Sequence, residues 1–306
     1  MNRIRFSRAA ALLRVSLVAC LASASARADD DDAAAKSDKA ANPYFELDTK
    51  NLFGFLEGAD VGDKGDRSVE FETTGAFGLR NGRYASIEQE LIYETTPIER
   101  LGVEFGAHFL GQDVANIGLA PDFHGVNFGG LSWEWRYVAI ARDDKSPFQL
   151  TLTATPEWAR VNGFGQRLQD ATTSFRAVAD SRFFDDRLYV AGNLSYAPER
   201  TWTPGQSASN ASTYGASAAS SYRVSPDWMF GAESDLFFAY DGLAAAGFLG
   251  RALYLGPTLH YQISRRIDLS GAYLEQVAGK ANGDPGALDL TDFSRRLAKL
   301  RLEVAF

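Results

Sequence analysis

The chain has 306 residues and a formal charge of −8. That length suits one large domain, and so acidic a balance lacks the basic footprint that nucleic-acid binding needs. No run of 18 or more apolar residues occurs, so no helical membrane span is expected.

Residues 1–28 read as a secretory signal peptide. Arg3, Arg5, Arg8 and Arg14 form a basic n-region, Val15 to Ala24 a short apolar run, and Ala26-Arg27-Ala28 a small-x-small cleavage site. Its removal takes away five arginines and no acid, leaving 26 basic against 39 acidic side chains and a formal −13. Leu17-Val18-Ala19-Cys20 resembles a lipoprotein box, but Arg14 leaves only five residues before Cys20, which disfavours lipidation there. Without Cys20 the mature chain has no thiol, which suits passage through an oxidising compartment.

Residues 29–42 (D-D-D-D-A-A-A-K-S-D-K-A-A-N) are charged, low in complexity and free of aromatics, the composition of a disordered acidic tether. Residues 43–68 are apolar enough to pack but too irregular for a clear strand. They suit a periplasmic segment, as a short helix or extra strand, or a plug inside a barrel. Within them Asp60, Asp63 and Asp66 could hold calcium in a Gly-containing loop. The EF-hand pattern is absent, and a solvated turn is the preferred reading.

From Val69 the pattern has period two, the mark of strands with one apolar and one polar face. Val69–Arg80 sets Val69, Phe71 and Thr73 against Glu70 and Glu72. Asn81-Gly82 then predicts a tight hairpin. Tyr84–Thr95 sets Ile87, Leu91 and Tyr93 against Glu88, Glu90 and Glu94. Leu101–Gly111 and Asn127–Ala141 follow, the latter with Leu131, Trp133, Trp135 and Tyr137 opposite Ser132, Glu134 and Arg136. Further strands are expected at Phe148–Arg160, Thr172–Phe183, Leu188–Ala197, Thr213–Val224, Trp228–Tyr240, Phe248–Ile263 and Ile267–Ala278. Ser294–Phe306 closes the series as the twelfth. Links after even-numbered strands are short, as at Asp185-Asp186 and Ser264-Arg265. Most links after odd-numbered strands are longer: Gln112–Val126, Val161–Ala171, Pro198–Ser212 and Lys280–Phe293.

An even number of amphipathic strands with alternating short and long links predicts an all-β fold, a closed antiparallel up-and-down transmembrane β-barrel of about 12 strands over residues 69–306. Lipid cannot satisfy an open sheet edge, so the last strand must pair with the first. The apolar face then meets lipid, with Trp133, Trp135, Tyr137, Trp158, Tyr196, Tyr222, Trp228, Tyr240, Tyr261 and Tyr273 outward and many near strand ends. The polar face lines the lumen: Glu70, Glu72, Glu88, Glu90, Glu94, Glu104, His108, Glu134, Arg136, Arg176, Asp180, Arg182, Lys299, Arg301 and Glu303. Closure would set Lys299 and Arg301 on one wall with Glu70 and Glu72, an electrostatic latch at the seam.

A cleavable signal, about twelve amphipathic strands and a final strand ending L-R-L-E-V-A-F resemble the Gram-negative outer-membrane β-barrel proteins, at the level of the class. The resemblance implies residence in the cell outer membrane, contact with its lipid, and recognition of Leu302, Val304 and Phe306 by the barrel-assembly machinery. It implies a porin- or transporter-like role.

The acid-rich lumen favours cations, since rings of charge set selectivity, and predicts a channel for small polar solutes. The rival reading pairs acids with bases and closes the barrel, which then serves structure or binding. A hydrolase is a third reading. His108, His124 and His260 carry no nucleophile motif such as G-x-S-x-G and no helical zinc spacing, so no catalytic residue, metal or cofactor is assigned.

Overall fold

The computed structural model describes residues 47–118, 120–143 and 146–306. The signal peptide, Cys20, the tether at 29–42 and the start of the 43–68 segment lie outside them. Twelve strands follow in chain order: β1 (Arg67–Phe77), β2 (Arg83–Ile98), β3 (Leu101–Ala115), β4 (Phe123–Ile140), β5 (Phe148–Val161), β6 (Arg167–Phe183), β7 (Leu188–Trp202), β8 (Ser209–Arg223), β9 (Trp228–Asp241), β10 (Gly247–Ser264), β11 (Ile267–Ala281) and β12 (Arg296–Ala305). Each pairs antiparallel with its chain neighbours, and β12 returns to β1, so the sheet is a closed barrel. At the seam Val69 faces Val304, Phe71 faces Leu302 and Glu72 faces Arg301.

Alternation decides which way each side chain points. Phe71, Leu91, Phe105, Trp135 and Leu152 are exposed on the outside, while Glu70, Glu134, Arg136 and Thr151 are buried within. In β4 the parity switches at a bulge: His108 pairs with Gly130 and Phe109 with Phe128, so Gly129 is the extra residue. A bulge re-aims every side chain beyond it. Val126 and Phe128 before it and Leu131 and Trp133 after it therefore all face outward.

Aromatic rings gird the outer surface near both ends. Phe175, Tyr196, Tyr214, Tyr240 and Phe248 form a continuous chain across β6 to β10, with centroids 6.5, 4.9, 5.6 and 5.7 Å apart. Near the opposite end Trp228 stacks on Tyr261 at 4.2 Å. One end carries the links after odd-numbered strands and is called here the loop end. The other carries the links after even-numbered strands and is the turn end.

Strands β2 to β11 run further than the sequence indicated, whereas β1 and β12 are slightly shorter. The stretches 112–126, 161–171 and 198–212, read from sequence as loops, are mostly ladder, and the connections shrink to 116–122, 162–166 and 203–208. The alternation of short and long links weakens accordingly. The physical reason is loss of contrast. Where both faces meet water the period-two signal fades although the backbone ladder continues, as in P-E-R-T-W at the end of β7. The Asn81-Gly82 hairpin is also wider than expected, closing at the Phe77–Ala85 pair. Leu79 turns inward there to pack against Tyr84, Val114, Ile117 and Phe164, and Gly78 and Gly82 take the positive φ values of 80° and 71° that the wider loop requires.

Candidate functional site

The lumen holds a loop. Residues 47–62 form neither helix nor strand and close on themselves: Gly58 N donates to Lys50 O at 3.0 Å, and Thr49 N to the Asp60 carboxylate at 2.8 Å. Such a compact loop brings its ends together, and side chains of the wall satisfy several of its backbone groups. The described residues 47–62 lie against inward-facing side chains of the barrel wall.

The loop is amphipathic, and so is the wall around it. Leu47, Leu52, Phe53 and Leu56 pack against Tyr189, Ala191, Ala219 and Met229 of β7, β8 and β9. That wall is built from small and apolar residues, so it accepts bulky side chains. Phe55 extends this contact to the cluster of Ala252, Tyr254, Leu274 and Phe293. Phe293 belongs to the β11–β12 loop, which folds inward at the loop end. At Gly54 an added Cβ would lie 2.2 Å from Glu233 Oε2 and 2.5 Å from Ala272 Cβ, so only glycine permits this approach. The Glu233 carboxylate accepts the Phe55 and Leu56 amides at 2.9 and 2.6 Å.

The charged face of the loop meets the acidic wall. Lys50 Nζ lies 2.7 Å from Glu70, 2.5 Å from Glu94 and 2.9 Å from Glu104, on β1, β2 and β3. Glu57 bridges three guanidinium groups: Arg136 at 2.6 Å, Arg176 at 2.9 Å and Arg301 at 3.4 Å. Arg136 also donates to Gly58 O at 2.7 Å and pairs with Glu134 at 3.0 Å. Asn51 donates to Glu303 at 2.7 Å and accepts from Arg301. Asp60 binds Arg142 at 2.6 Å, while Asp180 binds Arg142, Thr49 and the Ala59 amide. Asp66 accepts from Asp63 N at 2.8 Å in a turn, and with Asp60 engaged elsewhere the 60–66 stretch folds as a turn.

The residues assigned to the lumen from sequence fall into groups. Glu70, Glu94, Glu104, Glu134, Arg136, Arg176, Asp180, Arg301 and Glu303 touch the loop or its direct partners. Lys299 and Arg301 bind Glu72 at 2.9 and 2.6 Å across the seam. Glu88 and Glu90 flank His108 instead, the latter at 3.2 Å. Arg182 stands apart, 3.8 Å from Asp186 beside the β6–β7 turn. Leu302 and Val304 lie opposite Phe71 and Val69, and Phe306 N donates to Arg67 O at 3.0 Å. His260 meets Asp268 at 3.6 Å across β10 and β11, a pairing that sequence spacing did not suggest.

Sequence reasoning missed Lys50, Asn51, Glu57 and Arg142, and read Asp60 as a candidate calcium ligand where it pairs with Arg142. The signal was the interleaving of those polar residues with Leu52, Phe53 and Leu56, which mark two faces on a segment of no regular period. It also missed that Glu157 of β5 joins Glu88 and His108, with one ligand atom from each within 4.8 Å of the others. Those three could hold a metal ion, from strands whose separation in sequence hides the cluster.

Two cavities border the loop. One of about 110 Å³ is lined by Glu57, Glu70, Glu72, Glu104, Arg176 and Arg301 among others. The second, about 630 Å³, opens at the turn end, where Asp48, Glu94, Arg266, Asp268 and Glu303 contribute. The two share no lining residue.

A closed twelve-stranded barrel with an apolar outside and a charged inside has the fold of the outer-membrane β-barrel proteins. The chain is similar to the COG4313 outer membrane channel from Pseudomonas putida F1, with a TM-score of 0.53 and 11% identity over 81% of this chain and 98% of that one. The NanC porin gives a TM-score of 0.48 at 11% identity, covering 78% and 98%. The CymD monoaromatic hydrocarbon channel gives 0.40 at 10%, covering 80% and 89%. No curated protein matches. The chain belongs to the Family of unknown function (DUF6662), whose match covers residues 45–306 and so takes in the internal loop with the barrel.

Proposed function

We propose that the protein is an outer-membrane channel for small polar solutes, biased toward cations, and that residues 47–62 plug it in the closed state. The observation that carries this reading is the lumen wall. Ionisable side chains from β1 to β6 and β12 face inward around cavities large enough for water, where a purely structural barrel could fill the space with apolar side chains. Acids outnumber bases on β1 to β3, where Glu70, Glu72, Glu88, Glu90, Glu94 and Glu104 all point in, so mobile cations are favoured there.

The exposed apolar band and its aromatic girdles support placement in a bilayer. β4, with 18 residues, would rise roughly 45 Å at about 3.3 Å per residue and a tilt of about 40°. That exceeds an apolar band of about 25 Å, so the strand ends stand in water, as their polar composition requires. Phe306 and the outward Leu302 and Val304 are proposed as the strand read by the barrel-assembly machinery.

Planar-bilayer recording tests the channel. Discrete conductance with a cation-selective reversal potential is expected, and larger when residues 47–62 are deleted. A membrane silent with both proteins would overturn the channel reading. It would favour the second one, a closed binding or structural barrel, for which the complete burial of Leu52 and Phe53 speaks.

A further inference from the structure

Lys50 is the one cation that the loop contributes to the acidic wall, and its setting is unusual. Its ammonium donates to Glu70 and Glu94 and is ion-paired with Glu104, so carboxylates from three adjacent strands converge on one nitrogen. The side chain is 5% exposed. On the same wall, oxygens of Glu70, Glu94 and Glu303 lie within 4.8 Å of one another. Carboxylates hold such a spacing inside a protein around positive charge or by sharing a proton, and here a cation is present. The barrel supplies the acids and a separate segment supplies the cation.

The position matters as much as the charge. Glu70 and Glu104 line the smaller cavity, while Glu94 lines the larger one at the turn end. The ammonium therefore stands at the partition between the two spaces. A group small enough to occupy the same point, and not tied to the loop, would sit in the path from one to the other.

We propose that Glu70, Glu94 and Glu104 form a seat for primary ammonium groups, and that Lys50 fills it as a tethered occupant that holds the lumen closed. Three N–H donors on one nitrogen match three carboxylates on neighbouring strands. Quaternary ammonium ions carry the charge without the donors and do not fit this pattern. The seat names a ligand class for the passage, alkylammonium ions, and makes release of the loop a competition between Lys50 and free amine. The proposal rests on the reading of the lumen as a passage, but its binding step does not depend on conductance.

The test removes the tether and returns the ammonium. Lys50→Ala deletes three methylenes and the ammonium, which together amount to propylammonium. Calorimetry on the detergent-solubilised protein is expected to show propylammonium binding the variant at least tenfold more tightly than the native chain. 1-Propanol and tetramethylammonium should bind neither, and adding Glu104→Gln to the variant should weaken the amine. Equal binding to native and variant chains, or none to the variant, would overturn the seat. In bilayers Lys50→Ala should conduct more than the native chain and close again with propylammonium. Selective binding with silent bilayers would leave the seat standing and remove the channel, whereas conduction identical in both chains without amine binding would remove the seat and leave the channel. If Lys50→Ala does not fold, the native lysine is kept and a cysteine is placed at Leu52, with Cys20 replaced by serine. Methylammonium should then speed thiol labelling and tetramethylammonium at equal ionic strength should not; equal rates with the two salts would overturn the proposal.

Discussion

Glu57→Gln is the perturbation that separates the loop from the barrel most cleanly. The carboxylate bridges Arg136, Arg176 and Arg301, yet each arginine keeps another acid: Glu134 for the first two, Glu72 for the third. The substitution therefore leaves no guanidinium stranded. A glutamine retains one acceptor oxygen and loses the charge, so the short contacts to Arg136 and Arg176 weaken and the contact to Arg301 turns unfavourable. At ~1.5–3 kcal/mol for a hydrogen bond to a charged group, the loss comes to about 3 kcal/mol, discounted for the acceptor that remains. The cost falls on the loop, because the ladder of β-strand hydrogen bonds does not pass through Glu57. A shift of that size raises the released fraction of the loop roughly 100-fold. A cysteine at Leu52, fully buried in the native state, reports release through its labelling rate by a water-soluble maleimide, provided Cys20 is replaced. When reclosing is fast, that rate tracks the open population. Equal labelling rates with and without the Glu57→Gln substitution would refute the reasoning. So would a fall in the heat resistance of the whole barrel as large as the gain in labelling, since the bridge would then be holding the wall and not the loop.

At the seam, reversing Lys299 and Arg301 to Glu sets two new acids against Glu70 and Glu72 in a buried wall. Breaking a buried pair costs ~3–5 kcal/mol, so the heat-modifiable folded band on detergent gels should be lost, with partial recovery when Glu72→Lys is added; a normal band from the double reversal would contradict the latch. In the β11–β12 loop, burial first and then neighbouring Asp289 push Asp292 up to about 7. A carboxyl raised above its unfolded value near 3.9 favours the protonated folded form, so its contribution is fully present below about pH 4 and is lost as pH rises through about 7. Amide protection in 282–295, corrected for intrinsic exchange, should fall by up to about tenfold per pH unit between 5 and 7, and Asp292→Asn should flatten that slope; an unchanged slope in the variant would assign the effect elsewhere.

The barrel was legible because its rule is local. Glu70, Phe71 and Glu72 already state inside, outside, inside, and a dozen such segments with a terminal one in need of a partner leave closure as the consistent solution. Strand ends were not legible, because the contrast that marks a strand comes from the difference between lipid and lumen and disappears where both sides are wet. The inward face was legible residue by residue, but its pairings were not. That Glu88 and Glu90 take His108 while Glu94 takes Lys50 depends on register and on a segment with no period. Lys50, Glu57 and Asp60 have meaning only once a wall of complementary charge surrounds them, and no spacing within 47–62 could supply that wall.

The arrangement of the interior carries one more step. A buried ion pair is a weak source of stability, and apolar replacement of such networks is commonly neutral or stabilising. This chain follows the apolar solution in one patch of β7, β8 and β9, where Ala191, Ala219 and Met229 pack against Leu52 and Phe53, although Arg223, Glu233 and Asp235 are buried on β8 and β9 as well. It departs from it on β1 to β6 and β12, where Arg136 and Glu70 are buried with their charges. Stability alone does not account for so divided a lumen, since the same barrel already contains the cheaper alternative. On the proposed channel reading, a wall that must be solvated when the loop leaves accounts for it. On that reading the charged wall is the side along which water and ions would move, and the apolar patch is the dock to which the loop would return. On that reasoning, polar replacements at Ala191 or Ala219 should weaken closure without changing ion preference, while Glu→Gln changes at Glu70 or Glu104 should alter ion preference. Reversal potentials and closed-time distributions measured on the two sets of variants would separate along that division, and a mixed pattern would mean that the two halves do not have separate tasks.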